Sequence, residues 1–525
     1  MAFGPLRRAH PRIKFSILKY LIPGVKGIRD TKQDVSHEGI NMKPPGVPGR
    51  RIAAFPHHLS ELIKRSGAVL LAVGAALAVS VVIVHGGSSA SSQSAVHYTV
   101  PPMRISPDHG VLIHDNPVFM EPALVRTEHG LATAFIENAE NSSATPPRVG
   151  WTCASTTGKT WSCSQLSLGQ GGADWADPWM ADTRGDPCTT YGKGITLAAL
   201  RRGPNDILEP IAYYSLDFGK TWIGPESLPW SDNISMPIAD GTKLIYTGRT
   251  YLAWRDFTFL TGEYISQLQT VNGKCSWGNP IRLTTFTGSN GTTLSYDDGS
   301  DHPRLAATPV SGELAARGSF GDDLLTFHRY NSALEQEYSS IIGPSSYPED
   351  QRYFCPNSSD CPHLDYDLGQ TLLFVPSNGQ YIAVFQRNDV GGGNADGIGL
   401  WFSRSVDNGM TWAAPAEVAG PSISGSYVTM QPTMTYDKAT GDALLAYLEV
   451  PNKNSYAANV QLTILAKGAS NWIPPQTLRT FQYGVNSSDY FTVQAAGGVV
   501  HVVHSLPDSS GSGSFVEYFA ARYTK

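Results

Sequence analysis

Ser215-Leu-Asp217-Phe-Gly219-Lys-Thr221-Trp222 and Ser405-Val-Asp407-Asn-Gly409-Met-Thr411-Trp412 carry one eight-residue pattern, Ser-x-Asp-x-Gly-x-Thr-Trp. A degenerate third copy reads Ala154-Ser-Thr156-Thr-Gly158-Lys-Thr160-Trp161. These residue types describe a hairpin turn. Asp and Ser side chains hydrogen-bond nearby backbone groups, and Gly supplies a positive φ. The Thr-Trp pair then opens the next strand, with the indole packed between sheets. Recurrence along the chain marks a repeat architecture.

The pattern resembles the Asp box, the bacterial-neuraminidase repeat of the sialidase superfamily. That resemblance implies an all-β protein, a β-propeller of four-stranded antiparallel blades. The turn is structural and names no chemistry. Composition agrees with many short strands joined by turns: Gly (52) and Pro (36) are plentiful and aromatics reach 10 %. One propeller absorbs residues 98–525, where length alone would suggest three or four domains.

A second repeat sets the blades. Glu121-Pro122, Asp177-Pro178, Met236-Pro237, His302-Pro303 and Gln431-Pro432 each precede a short apolar run, and further starts fall near Asp365-Tyr366 and Asp489-Tyr490. Each start is followed by a second apolar run: Leu131–Ile136, Thr196–Leu200, Tyr251–Trp254, Leu324–Phe327, Tyr381–Phe385, Leu444–Leu448 and Val499–Val503. The reading is seven blades, or six if two repeats share a sheet. The last repeat is short, and Tyr98–Ser106 is expected to supply its outer strand.

The net charge of −6 hides an asymmetry. Residues 1–66 hold 13 Lys/Arg against 4 Asp/Glu and lack sustained periodicity, so they read as a basic, mostly disordered tail. Gly67–Val84 is uncharged and rich in Ala, Val and Leu, close to the ~18–20 residues that span a bilayer. Arg50, Arg51, Lys64 and Arg65 precede it, so residues 67–85 are expected to form a transmembrane signal anchor with a cytoplasmic N-terminus. A cleaved signal peptide is the rival reading. Residues 86–97 form a Gly/Ser-rich stalk, which leaves the propeller extracellular or lumenal.

All six cysteines (Cys153, Cys163, Cys188, Cys275, Cys355, Cys361) and five sequons, at Asn141, Asn233, Asn290, Asn357 and Asn486, follow the anchor. Both features fit an oxidising, secretory compartment. Cys153 and Cys163 bracket the degenerate turn and are placed to staple it. Cys355 with Cys361 would close a small loop, leaving Cys188 with Cys275. No cysteine or histidine spacing suits a metal, and none is expected.

Blade strands are antiparallel, so first-strand starts and second-strand ends share one face, opposite the Asp-box turns. Ligands are expected at that face, at the mouth of the central channel. The repeats assign Glu121, Asp177, His302, Tyr366 and Gln431 to it, with Arg255, His328, Arg329 and Arg387 from second-strand ends. The resemblance implies an arginine cluster gripping a sugar carboxylate, for which guanidinium groups are well shaped. It also implies an arginine before the first-blade proline motif; Phe119-Met120-Glu121-Pro122 has Met120 there.

The leading expectation is therefore a membrane-tethered, sialidase-like exo-glycosidase acting on a terminal acidic sugar. Arg255, Arg329 and Arg387 hold the carboxylate, Glu121 and Gln431 contribute to binding, and Asp177 is the general acid. A uronate-directed polysaccharide lyase is the alternative, with His302, His328 or a tyrosine such as Tyr366 as base. A non-catalytic glycan- or protein-binding propeller is the third reading. No cofactor is implied, and the acidic ectodomain argues against nucleic acid.

Overall fold

A computed structural model describes residues 96–112, 116–138, 148–166, 175–188, 194–202, 208–229, 239–256, 263–283, 286–287, 293–294, 304–320, 324–344, 370–388, 397–418, 427–451, 457–482, 491–509 and 513–525. The expected tail and anchor, the five sequons, Cys355, Cys361, Met236, His302 and Tyr366 lie outside the described residues. Among the described residues there is no helix, and so none long and apolar enough to cross a membrane.

The chain is all-β, a β-propeller of four-stranded antiparallel blades. The unit is plainest in Trp175–Asp182, Ile195–Arg202, Leu208–Ser215 and Ile223–Ser227, which form one antiparallel meander. Arg304–Ala307, Leu314–Phe320, Leu324–Tyr330 and Gln336–Pro344 form another. A third starts with Ala239–Tyr246 and Thr250–Asp256. Two larger sheets each have eight strands. In one, the meanders starting at Gln370 and Tyr427 join by parallel pairing of Gly397 with Tyr427 and Ile398 with Val428. In the other, the meander starting at Val118 joins the C-terminal one through the pair Val118 and Ser514. His97–Arg104 pairs antiparallel with Ser514–Arg522. The first described strand thus completes the last meander, as the short final repeat required.

Apolar side chains pack between neighbouring meanders rather than in a single centre. Leu200 and Trp254 meet between two of them, and Phe327 and Tyr381 between two others. Phe119 and Tyr518 close the series by bringing the C-terminal meander against the one that starts at Val118. Each large side chain so buried contributes about 1.5–3 kcal/mol.

Both Ser-x-Asp-x-Gly-x-Thr-Trp segments fold into the same turn between third and fourth strands. The Gly219 N–H donates to Ser215 Oγ at 2.6 Å, and the Gly409 N–H to Ser405 Oγ at 2.8 Å. Asp217 accepts from the Thr221 N–H and hydroxyl at 2.8 and 2.7 Å; Asp407 accepts from Thr411 at 2.9 and 2.6 Å. Gly219 and Gly409 have φ of 89° and 93°, a region where a Cβ is strained. In the degenerate copy Ser155 Oγ accepts from Gly158 at 2.8 Å. Cys153 and Cys163 are disulfide-bonded across that hairpin. Cys188 and Cys275 are side by side as free thiols, against the expected pairing, and burial pushes the Cys188 thiol up to about 12.

The fourth repeat differs from its reading. Leu324–Tyr330 is the third strand of its meander; the second is Leu314–Phe320. Arg317, Gly318 and Ser319 disguise that strand in the sequence, although Arg317 is wholly buried. In the third repeat the first strand has its irregularity between Asp240 and Thr242, at Gly241, downstream of the expected Met236-Pro237.

Candidate active site

Three first strands start alike. Glu121, Asp177 and Gln431 each precede a proline, and each has a left-handed backbone, φ 54°, 48° and 53°. The strand register skips there, between Met120 and Ala123, Ala176 and Trp179, and Met430 and Thr433. Proline has no N–H to place in the ladder, so the strand bulges around it. Such a conformation costs an L-residue roughly 1–2 kcal/mol, and it persists where surrounding bonds hold it.

Those bonds run between meanders. Buried Glu121 accepts the Asp177 N–H on Oε2 at 2.8 Å. The Asp177 carbonyl accepts from the Thr242 hydroxyl, and the Pro122 carbonyl accepts from Thr492 Oγ1 at 2.8 Å. The first-strand starts are thereby stitched to one another around the mouth, with Asp177 partly exposed.

Just inside, three side chains converge that the repeat pattern did not single out. The Lys243 Nζ lies 3.4 Å from the centre of the Trp179 ring. Arg304, which begins the first strand of the fourth repeat, acts electrostatically on the same amine. Burial lowers the Lys243 amine well below the ordinary lysine range, and the Arg304 charge lowers it further. Arg304 is buried beside Arg317, its register partner. An aromatic face next to an amine and a guanidinium suits an anionic sugar: the ring packs on apolar sugar faces, and the two nitrogen groups meet its acid.

The expected arginine triad does not assemble as read. Arg255 and Arg387 stand near the mouth-side ends of second strands, Thr250–Asp256 and Gln380–Asn388, with Arg255 in register with Asp240 and Glu263. Arg329 belongs to a third strand and so lies toward the opposite face. There it pairs with Glu313 at 2.5 Å and Glu337 at 3.0 Å, beside Tyr338. His328 shares that strand and is wholly buried, with Nε2 2.9 Å from Thr326 Oγ1. Burial, assisted by Arg317, pushes its imidazole down to about 3, so it is neutral. Gln431 is buried at its bulge.

Two further rim residues are structural. The Glu137 carboxylate accepts the Val111 and Leu112 N–H groups at 3.0 and 2.6 Å and the Trp151 indole N–H at 2.9 Å. Arg201 donates to Glu209 at 2.9 Å and to Ser227 at 2.7 Å. On the Asp-box face a groove of about 590 Å³ lies between two hairpins, lined by Trp161, Phe218, Lys220 and His129. It is on the far side of the molecule from the mouth. Among the described residues no cluster of His, Cys, Asp or Glu could hold a metal.

No family model matches the chain, and no curated protein matches it in sequence. Its fold is similar to those of several solved propellers. A polysaccharide lyase of family PL25, an ulvan lyase, is 10 % identical with a TM-score of 0.45, covering 78 % of this chain and 94 % of that one. A Penicillium chrysogenum α-L-arabinanase complexed with arabinobiose is 14 % identical with a TM-score of 0.41, covering 81 % and 98 %. A Trypanosoma rangeli sialidase is 13 % identical with a TM-score of 0.39, covering 69 % of this chain and 56 % of that one. Likeness at this level transfers no activity.

Proposed function

We propose that this chain is a carbohydrate-active, seven-bladed propeller that takes a terminal acidic sugar of a glycan at the channel mouth and cleaves it as an exo-glycosidase. The seven-blade count is supported by each eight-stranded sheet dividing into two meanders at a parallel junction of one or two residue pairs. The observation that carries the function is the convergence of Asp177, Glu121, Trp179, Lys243 and Arg304 where the first strands begin.

Asp177 is the general acid, delivering a proton to the leaving oxygen. Glu121 positions it by bonding its backbone N–H. Arg255, Arg387 and Arg304 hold the sugar carboxylate, with Arg304 taking the part first given to Arg329. A guanidinium can bond a carboxylate through two parallel N–H groups. His328, neutral, buried and on a third strand, is removed as a base for the lyase alternative. His302 and Tyr366 remain available to it.

Products discriminate the chemistries. Full-length protein incubated with sialylated and uronate-ended glycans is expected to release the terminal acidic sugar with a new reducing end. A product absorbing in the ultraviolet, from a conjugated double bond, would instead identify a lyase. Binding without turnover would identify a recognition module.

We further infer that residues 67–85 anchor the protein in a membrane, with 1–66 cytoplasmic, from the uncharged Gly67–Val84 stretch and the basic residues before it. Protease added to sealed vesicles should remove the tail and spare the propeller. A mature N-terminus between Ala90 and His97 would overturn this topology.

A further inference from the structure

We propose that the Lys243 amine takes up a proton as an anionic sugar group, a carboxylate or sulfate ester, docks against it and Arg304 on the channel wall. The inference rests on the reading of the mouth as an acidic-sugar site and adds a proton to its binding equilibrium.

The geometry begins with the strand. Lys243 lies on Ala239–Tyr246, the innermost strand of its meander, in register with Ala253. Its side chain is partly exposed, and its amine lies against the Trp179 face, 3.4 Å from the ring centre. Among the described residues the amine has no carboxylate partner and no hydrogen-bond acceptor. An aromatic face compensates a cation only in part, by about 0.5–2 kcal/mol.

Strands packed against this one bring other charged residues: Arg255 and Asp256 from Thr250–Asp256, Asp177 and Asp182 from Trp175–Asp182, Arg201 and Arg202 from Ile195–Arg202, Glu209 from Leu208–Ser215, and Arg304 from Arg304–Ala307. Arg304 is the one whose charge acts on the Lys243 amine. Asp182 bonds Arg184, and Arg201 bonds Glu209, so both are engaged elsewhere. Desolvation and a neighbouring cation both disfavour the ammonium form.

An arriving anion outweighs both influences without rehydrating the amine. It offsets the Arg304 charge and supplies the missing acceptor, so the amine gains a proton from solvent as the complex forms. By linkage, anion affinity then falls as pH rises through the range in which the free amine is already neutral. The positions also select ligands. A neutral sugar would leave the amine as it is and gain nothing from Arg304.

The test measures protons rather than turnover. Full-length protein in weakly buffered solution is titrated with sodium glucuronate, with inorganic sulfate and with glucose, between pH 6 and 9, while a pH-stat records uptake. Glucuronate binding with a fractional proton taken up per site, absent with glucose, is expected; sulfate reports whether the acid need be a carboxylate. Lys243→Met should abolish uptake and weaken binding. Lys243→Arg, permanently charged, should bind without uptake, provided its melting curve matches the parent.

Glucuronate binding without proton uptake, or uptake unchanged in Lys243→Met, overturns the proposal while leaving the acidic-sugar site standing. Absence of any anion binding overturns the proposal as well, and release of acidic sugars from glycans then judges the site separately.

Discussion

Gly409→Ala is a sharp probe of the architecture, because two costs add at one atom. Gly409 sits in the second Asp-box turn with φ 93°, a conformation that costs an L-residue about 1–2 kcal/mol. A Cβ there would also fall inside the Phe327 ring of the neighbouring meander. Phe327 is wholly buried and held by Tyr381 at 4.9 Å and Trp412 at 5.4 Å, so the ring has little room to move. Overpacking of that kind costs about 1–3 kcal/mol, for a total near 2–5 kcal/mol. Gly379→Ala is the control, since φ is 62° and nothing lies within 4 Å of its added Cβ. It should cost about 1–2 kcal/mol from the backbone alone.

Calorimetry converts these figures to temperature. An unfolding entropy of about 2.1 cal/mol/K per residue, over roughly 430 residues, gives about 0.9 kcal/mol per degree. Gly409→Ala should therefore lower Tm by about 2–5 °C and Gly379→Ala by about 1–2 °C. Equal shifts for the two would refute the contact between the Asp-box turn and Phe327, and with it the packing of adjacent blades.

Asp407 gives a pH test, since the Thr411 hydroxyl, with the Thr411 N–H and Ser405, holds its carboxyl down at about 2. Its folded value is below its unfolded one, so its stabilisation is complete above about pH 4 and is lost as pH falls towards 2. The urea-midpoint gap between parent and Asp407→Asn should close over that range; a gap independent of pH would show the carboxylate bonds are absent. Cys153→Ser opens a hairpin with ten residues of sequence separation, and should cost about 3 kcal/mol by loop-closure entropy, read as a shift in the urea midpoint. Unchanged stability would place that disulfide outside the cooperative fold.

The Asp-box turns were legible because their chemistry is local: Ser, Asp, Gly and Thr within seven residues make every bond the turn needs. The strand starts at Glu121, Asp177 and Gln431 were legible through their prolines, but the bulges there were not. The fourth repeat was not. Leu314–Phe320 buries Arg317 and carries Gly318 and Ser319, so it lacks the apolar look of a second strand. Leu324–Tyr330, more apolar, took its place in the reading and carried His328 and Arg329 to the wrong face. The third repeat bulges at Gly241 without a proline, and so gave no signal there.

Lys243 and Arg304 were missed for a different reason. A lysine within a strand reads as solvated, and its partners Trp179 and Arg304 lie some sixty residues away in either direction, on separate blades. Only the packing of successive blades brings them together. The useful signal was periodic: in the sequence Trp179 follows Pro178 and Arg304 follows Pro303, at matching points of their repeats.

Comparison of Arg304→Ala with Arg329→Ala tests the placement of the site most directly. Arg304 lies inside the mouth, whereas Arg329 is paired with Glu313 and Glu337 toward the opposite face. Binding of an acidic sugar to the full-length protein, measured calorimetrically, should weaken by about 1.5–3 kcal/mol in Arg304→Ala, the scale of a charged hydrogen bond. Arg329→Ala should lower the melting temperature and leave that affinity unchanged. Loss of binding in Arg329→Ala with full affinity in Arg304→Ala would contradict the account and move the site to the other face.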